Sequence, residues 1–112
     1  MEHAELPVYK ACYDLLIEIF RFTGEFSREY KFTVGENLKK ETIDLLKLIF
    51  RANSRTDKIS VIQQARESIE IIRLMIRVMK DMKQISLKRF VAVNQKVENV
   101  SKQLAGWQKS QK

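Results

Sequence analysis

Apolar residues recur at steps of three and four along nearly the whole chain, and the recurrence breaks three times. Such steps place side chains on one face of a 3.6-residue helix, so the pattern predicts four amphipathic helices. The first is expected over about residues 7–25. Its stripe is Val8, Cys12, Leu15, Ile19 and Phe22 or Phe26, widened by Tyr9, Leu16 and Phe20. Pro7 suits its first turn, because a fixed φ and a missing N–H cost nothing there. The second, over about 34–54, opens with Thr33 and Glu36, the spacing of a capping box. Leu38, Thr42, Leu45, Ile49 and Ala52 make its stripe, flanked by Leu46 and Phe50. Gly35 in that first turn costs about 1 kcal/mol relative to alanine, a cost that a tight approach or a turn would explain.

The third helix is the longest, about 57–83, with Ile62, Ala65, Ile69, Ile72, Ile76 and Met79 in register. Ile71, Leu74, Met75 and Val78 are apolar as well, so this helix buries more than one face. The fourth runs over about 87–106. Ser86 is its N-cap, Phe90, Val93, Val97, Val100 and Leu104 its stripe, and Gly106 its C-cap, with a tail at 107–112. Connections of about eight, three and four residues force successive helices to return antiparallel. The fold class is therefore all-α, a single-domain antiparallel up-and-down four-helix bundle, because each striped helix can bury its face only against others. Ile62, Ile69, Ile72, Ile76 and Leu45 are expected in the core. A chain of 112 residues cannot bury two opposed faces of one helix internally. The surplus on the third helix, with Phe20, Phe22 and Phe32, either closes a thick core or packs against another copy, and self-association is the favoured expectation.

Charge changes the picture next. Twenty-one Lys and Arg against fourteen Asp and Glu give a net charge of +7, which bears on partners, not on the fold. Residues 1–30 are acidic on balance, whereas residues 83–112 hold Lys83, Lys88, Arg89, Lys96, Lys102, Lys109 and Lys112 against Glu98 alone. On the third helix Arg66, Arg73, Arg77 and Lys80 fall near one face. Arg73 and Arg77 sit in its most apolar part, where a guanidinium snorkels, pairs with Asp44, Glu41 or Glu70, or faces a phosphate. On the second helix Lys40, Lys47 and Arg51 share a face interrupted by Asp44, and that mixture of signs also describes an ordinary solvated surface. No helix-turn-helix, zinc-finger or single-strand-binding aromatic pattern occurs, so a bound nucleic acid would be held by its backbone and released by salt.

Catalytic chemistry is sparse. His3 is the only histidine and Cys12 the only cysteine. They are too few for a zinc site or a His-based acid–base pair, and a lone cysteine makes no internal disulfide. Glu67 and Glu70 lack the histidines of a di-iron bundle and read as a solvated face. Gly24, Gly35 and Gly106 form no phosphate-cradling loop. No cofactor, metal or enzymatic activity is expected. No stretch approaches the ~20 apolar residues of a membrane span, so the expected location is the cytoplasm and no membrane partner is expected.

LPVYKACYDLLIEIF (6–20), FTVGENLKKETIDLLKLIFRAN (32–53), SIEIIRLMIRVMKDMKQIS (68–86) and LAGW (104–107) occur in that order over nearly the whole chain. Together they resemble the small four-helix-bundle family that includes the accessory variability determinant (Avd) of diversity-generating retroelements and the proteins encoded within bacterial 23S ribosomal RNA intervening sequences. The resemblance implies a non-catalytic, basic, homopentameric barrel. It implies binding to a reverse transcriptase and to RNA or RNA/DNA, in support of mutagenic retrohoming. Arg73 and Arg77 match the family's R-x-x-x-R segment and by resemblance contact the polymerase or RNA, with Arg66 and Lys80 on the same stripe. Lys39, Lys40, Lys47 and Arg51 are secondary candidates, and Gly106–Trp107 matches the terminal Gly-Trp, whose indole should seat on the bundle or on a neighbouring protomer. Ala105 stands where the accessory proteins often have a first glycine, and TVGE replaces a TLGQ-like turn. Two alternatives stay open, an RNA-associated bundle of the intervening-sequence type without a polymerase and a purely protein–protein bundle.

Overall fold

The computed structural model describes residues 6–111. His3 and the end of the polar tail, Lys112, lie outside them. Four long helices and one short one form in chain order: α1 (Pro7–Thr23), α2 (Arg28–Lys31), α3 (Val34–Asn53), α4 (Ile59–Asp81) and α5 (Leu87–Ser110). Each long helix packs on two others, α1 on α3 and α5, and α4 on α3 and α5. The result is a four-helix bundle in the cyclic order α1, α3, α4, α5, with extents of 43 × 22 × 22 Å. With 17, 20, 23 and 24 residues at ~1.5 Å rise, the long helices run roughly 26–36 Å, so each spans more than half of the long axis.

The stripes meet at the centre as their spacing requires. Leu15, Ile19, Leu38, Leu45, Ile49, Ile62, Ile69, Ile72 and Ile76 are fully or almost fully buried. Phe22 joins them, its ring 5.8 Å from that of Phe26. It therefore belongs to the core rather than to the surface surplus. Buried hydroxyls are satisfied within their own helices or across the bundle. Thr42 donates to the Leu38 carbonyl at 2.7 Å, and Ser68 of α4 donates to the Glu41 carboxylate of α3 at 2.7 Å. The second bond is directional, so it ties α3 to α4 at one register.

Several expected boundaries are corrected. Gly106 does not end the last helix: α5 continues to Ser110 with Gln111 as cap, and Gly106 has no positive φ. Trp107 explains this, because it packs against the cluster of Ala52, Val61 and Ile62 and keeps the chain helical past a glycine that costs only about 1 kcal/mol. The capping box at Thr33 and Glu36 does not form. Thr33 is the N-cap of α3 but makes no side-chain cap bond. Its hydroxyl donates to the Glu29 carbonyl at 2.7 Å, and Glu36 pairs with Lys39 at 2.6 Å. α4 starts at Ile59 and ends at Asp81, two residues inside each expected limit. Gly35 reflects a tight approach, since a Cβ there would lie 3.2 Å from the Tyr30 carbonyl oxygen. Ser86 caps α5 as expected, accepting from the Arg89 N–H at 3.1 Å.

Helix ends are closed by other means. At the α3–α4 turn the Lys58 ammonium donates to the carbonyls of Ala52 (3.0 Å), Asn53 (3.4 Å) and Arg55 (2.6 Å). α4 ends in a Schellman arrangement, with Gln84 N–H on the Met79 carbonyl at 2.8 Å and Lys83 N–H on that of Lys80 at 3.0 Å. Lys83 occupies the left-handed position there, φ 63°, and is the one non-glycine among the described residues with positive φ.

Candidate nucleic-acid and polymerase interface

The arginines of α4 share one side of the helix, over the groove between α4 and α5. Arg66 donates to the Gln108 side chain, and the Lys80 ammonium sits 5.0 Å from the centre of the Phe90 ring. Arg73 is held from both helices, by Glu70 at 3.1 Å and by Glu98 of α5. Arg77 reaches only Asp81, at 3.6 Å, and keeps 67% of its side-chain surface against 31% for Arg73. Arg73 therefore joins two helices, while Arg77 and Arg66 are the stripe's exposed arginines, Arg77 held by Asp81 and Arg66 without an ion pair among the described residues. Between Arg73 and Arg77 opens a groove lined by Glu70, Arg73, Leu74, Arg77, Phe90 and Asn94, whose cations face an incoming anion only after their own carboxylates are displaced.

The α3 cations divide in the same way. Lys39 pairs with Glu36 and stands 5.2 Å above the Phe20 ring, and Lys40 pairs with Asp44 at 3.2 Å. Such exposed pairs contribute about 0–1 kcal/mol each, so an anion can compete for them. Lys47 and Arg51 are exposed, have no ion pair among the described residues, and line an apolar groove with Tyr9, Ile43, Leu46 and Phe50. A helix with cations among its apolar residues thus keeps two unpaired charges at one end of a hydrophobic strip. Of the basic run after residue 83, Arg89 is committed to Glu25 (2.8 Å) and Glu18 (3.7 Å) of the first helix and its connection. Sequence alone could not find that partnership, because more than sixty residues separate the groups.

Two exposed apolar stripes lie on well-separated sides. On α4 and its C-cap, Ile71, Leu74, Val78 and Met82 stand three, four and four residues apart and are 46%, 63%, 41% and 46% exposed, opposite the core stripe of Ile69, Ile72 and Ile76. On the α1–α3 side Tyr13, Phe20 and Phe50 are about half exposed. Trp107, half-buried, seats against the bundle's own core.

The one thiol, Cys12, is fully buried. Burial pushes the Cys12 thiol up to about 12, which keeps it protonated and unreactive. Among the described residues no cluster of His, Cys, Asp and Glu could hold a metal, and no helix is long and apolar enough to cross a membrane.

A family model described as bAvd-like matches residues 8–111, all four long helices but for one residue at the start of α1. The chain belongs to the bAvd-like family. No curated protein matches it. The bAvd-like family is non-catalytic, and membership supports a general accessory role in a diversity-generating retroelement. For this bAvd-like chain the buried stripes account for the fold, and the exposed stripes and loosely held cations are what is left for partners.

Proposed function

We propose that this chain is the accessory factor of a retroelement reverse transcriptase, acting in the cytoplasm as a closed ring of identical copies that holds the polymerase together with its RNA or cDNA. The observation that carries the reading is the bAvd-like match across residues 8–111. The surface supports it. Two apolar stripes on different sides of one chain suit a head-to-tail contact, in which the α4 stripe of one copy meets the α1–α3 side of the next, and such contacts give a ring when the rotation between copies closes. Five copies is the number the family resemblance implies. Lys47, Arg51 and Arg66 supply exposed charge without an ion pair among the described residues for a phosphate backbone, Arg77 supplies exposed charge held by Asp81 alone, and Arg73, Lys80, Lys39 and Lys40 supply charge that is already engaged.

Light scattering on the size-fractionated protein, alone and with a structured RNA at two salt concentrations, tests this. The expected result is a single species of about five chain masses that binds RNA more weakly as salt rises and retains a reverse transcriptase in a pull-down. A monomer indifferent to RNA at low salt refutes it. Leu74→Glu on the α4 stripe should break the assembly while leaving the helices intact, since Leu74 is 63% exposed in the single chain.

A further inference from the structure

The end of the bundle that carries the α1–α3 connection and the α4–α5 turn has a surface unlike the sides. The backbone N–H of Ser27 donates to the Gln84 side chain at 2.7 Å, so the two connections are tied into one tip. Phe32 is 62% exposed and Leu87 67%. Arg28, Lys83 and Lys88 are exposed and have no ion pair among the described residues, and the Lys31 ammonium stands 5.7 Å from the Phe32 ring centre. The nearby acids are mostly spent: Glu25 holds Arg89, Asp81 holds Arg77 and Glu36 holds Lys39, which leaves Glu29. Lys83 occupies the left-handed position of the α4 helix end, where the chain turns toward α5, and its side chain is exposed at the tip.

We infer that this tip is a subsite for single-stranded nucleic acid, in which one unpaired base stacks on the Phe32 ring and the adjoining phosphates take Lys31, Lys83 and Lys88. The inference rests on the nucleic-acid reading above and names the part of the strand that this tip would hold. An aromatic face beside cations is the common means of holding a single strand without reading its sequence. One exposed ring gives one base, not a track, which agrees with the lack of a repeated aromatic pattern in the sequence. Charge arrangement favours a strand over an anionic bilayer, because discrete phosphates can be spaced around Glu29 whereas a continuous anionic sheet would meet it. The tip also lies at the end of the 43 Å axis, so lateral assembly through the apolar stripes leaves it open. A ring would bring several copies to one rim, raising the effective concentration of each for the next segment of the same strand.

The test uses the full chain with three probes: a labelled oligouridylate, a blunt RNA duplex of equal length, and phosphatidylserine vesicles. Phe32→Leu keeps apolar bulk but removes the stacking face, and Phe32→Trp restores one. Phe32→Leu should weaken oligouridylate binding by about 5- to 100-fold, Phe32→Trp should not, and duplex binding should be unchanged in both. Lys83→Gln with Lys88→Gln should flatten the log–log salt slope for the oligouridylate by about 0.7 per lysine. Circular dichroism checks that each variant stays helical, as expected for a ring this exposed. Wild-type protein that binds oligouridylate no more tightly than Phe32→Leu overturns the subsite and leaves the broader reading standing. Wild-type protein that binds neither RNA at low salt overturns both. Vesicle binding that depends on Phe32 without oligouridylate binding makes the tip a lipid-facing surface and overturns the inference.

Discussion

Lys83 should be replaceable by glycine with a gain in stability, even though a charge is lost. The residue follows the α4 C-cap with φ 63°, and the bonds from Lys83 and Gln84 to the Lys80 and Met79 carbonyls hold it there. A residue with a Cβ pays about 1–2 kcal/mol for that conformation. Glycine escapes this but enlarges the entropy of the unfolded chain by about 0.4–1 kcal/mol. The difference leaves a net stabilisation of about 0.5–1 kcal/mol. Lys83→Ala is the control, because it removes the same charge and keeps the Cβ, so its stability should stay within about 0.5 kcal/mol of wild type. Urea denaturation of both variants, followed by circular dichroism, should show a higher midpoint for glycine alone at an unchanged slope. Equal midpoints for glycine and alanine would refute the reasoning, since the Cβ penalty would then be absent.

Other perturbations separate core, ion pair and thiol. Ile72→Ala removes three carbons from a site with no exposure, worth about 0.8 kcal/mol each in transfer alone. With the cavity left behind, a loss of about 3–5 kcal/mol is expected in denaturant titrations, and a near-zero loss would mean that α4 is misregistered. Arg73→Glu places a third carboxylate beside Glu70 and Glu98 and should cost about 1–2 kcal/mol. Arg77→Glu should change stability by less than about 0.5 kcal/mol and weaken RNA binding, and the reverse order in a melting assay would exchange their roles. Cys12 titrates near 9.0 when unfolded and is pushed up to about 12 by burial. Between those values the unfolded chain has lost a proton that the native chain keeps, so its contribution makes stability fall as pH rises, by up to about 1.4 kcal/mol per pH unit. Cys12→Ala should show a shallower decline over that window, which equilibrium unfolding at several pH values can measure.

How much could be read in advance depended on the range of the interaction. The four stripes were legible because helical periodicity is local, and Ile62, Ile69, Ile72, Ile76 and Leu45 are all buried accordingly. The excess of apolar residues on α4 was legible too, as Ile71, Leu74 and Val78 have no intramolecular cover sufficient to bury them. Local signals failed where a distant contact outweighed them. Gly106 looks like a helix stop until Trp107 is placed against Ala52 and Val61, and Thr33 looks like a capping box until its hydroxyl is found on Glu29. The four residues of α2 are too few to show a period. At the candidate site the shared face of Arg66, Arg73, Arg77 and Lys80 follows from spacing alone. The distinction between Arg73 and Arg77 does not, because it depends on Glu98, which reaches Arg73 from another helix.

The closure of α3 by Lys58 bears on which substitutions the chain can accept as it diverges. Three carbonyl oxygens converge on one ammonium, and a tetrahedral group with three rotatable N–H bonds meets them from a single point. A guanidinium spreads its donors in a plane and cannot do so without moving the turn. Exchange of lysine for arginine should be nearly silent at exposed positions such as Lys47, whose charge alone faces solvent. At position 58 the same exchange, which leaves net charge untouched, should loosen the α3–α4 turn, so a basic residue there is constrained by shape as well as by sign.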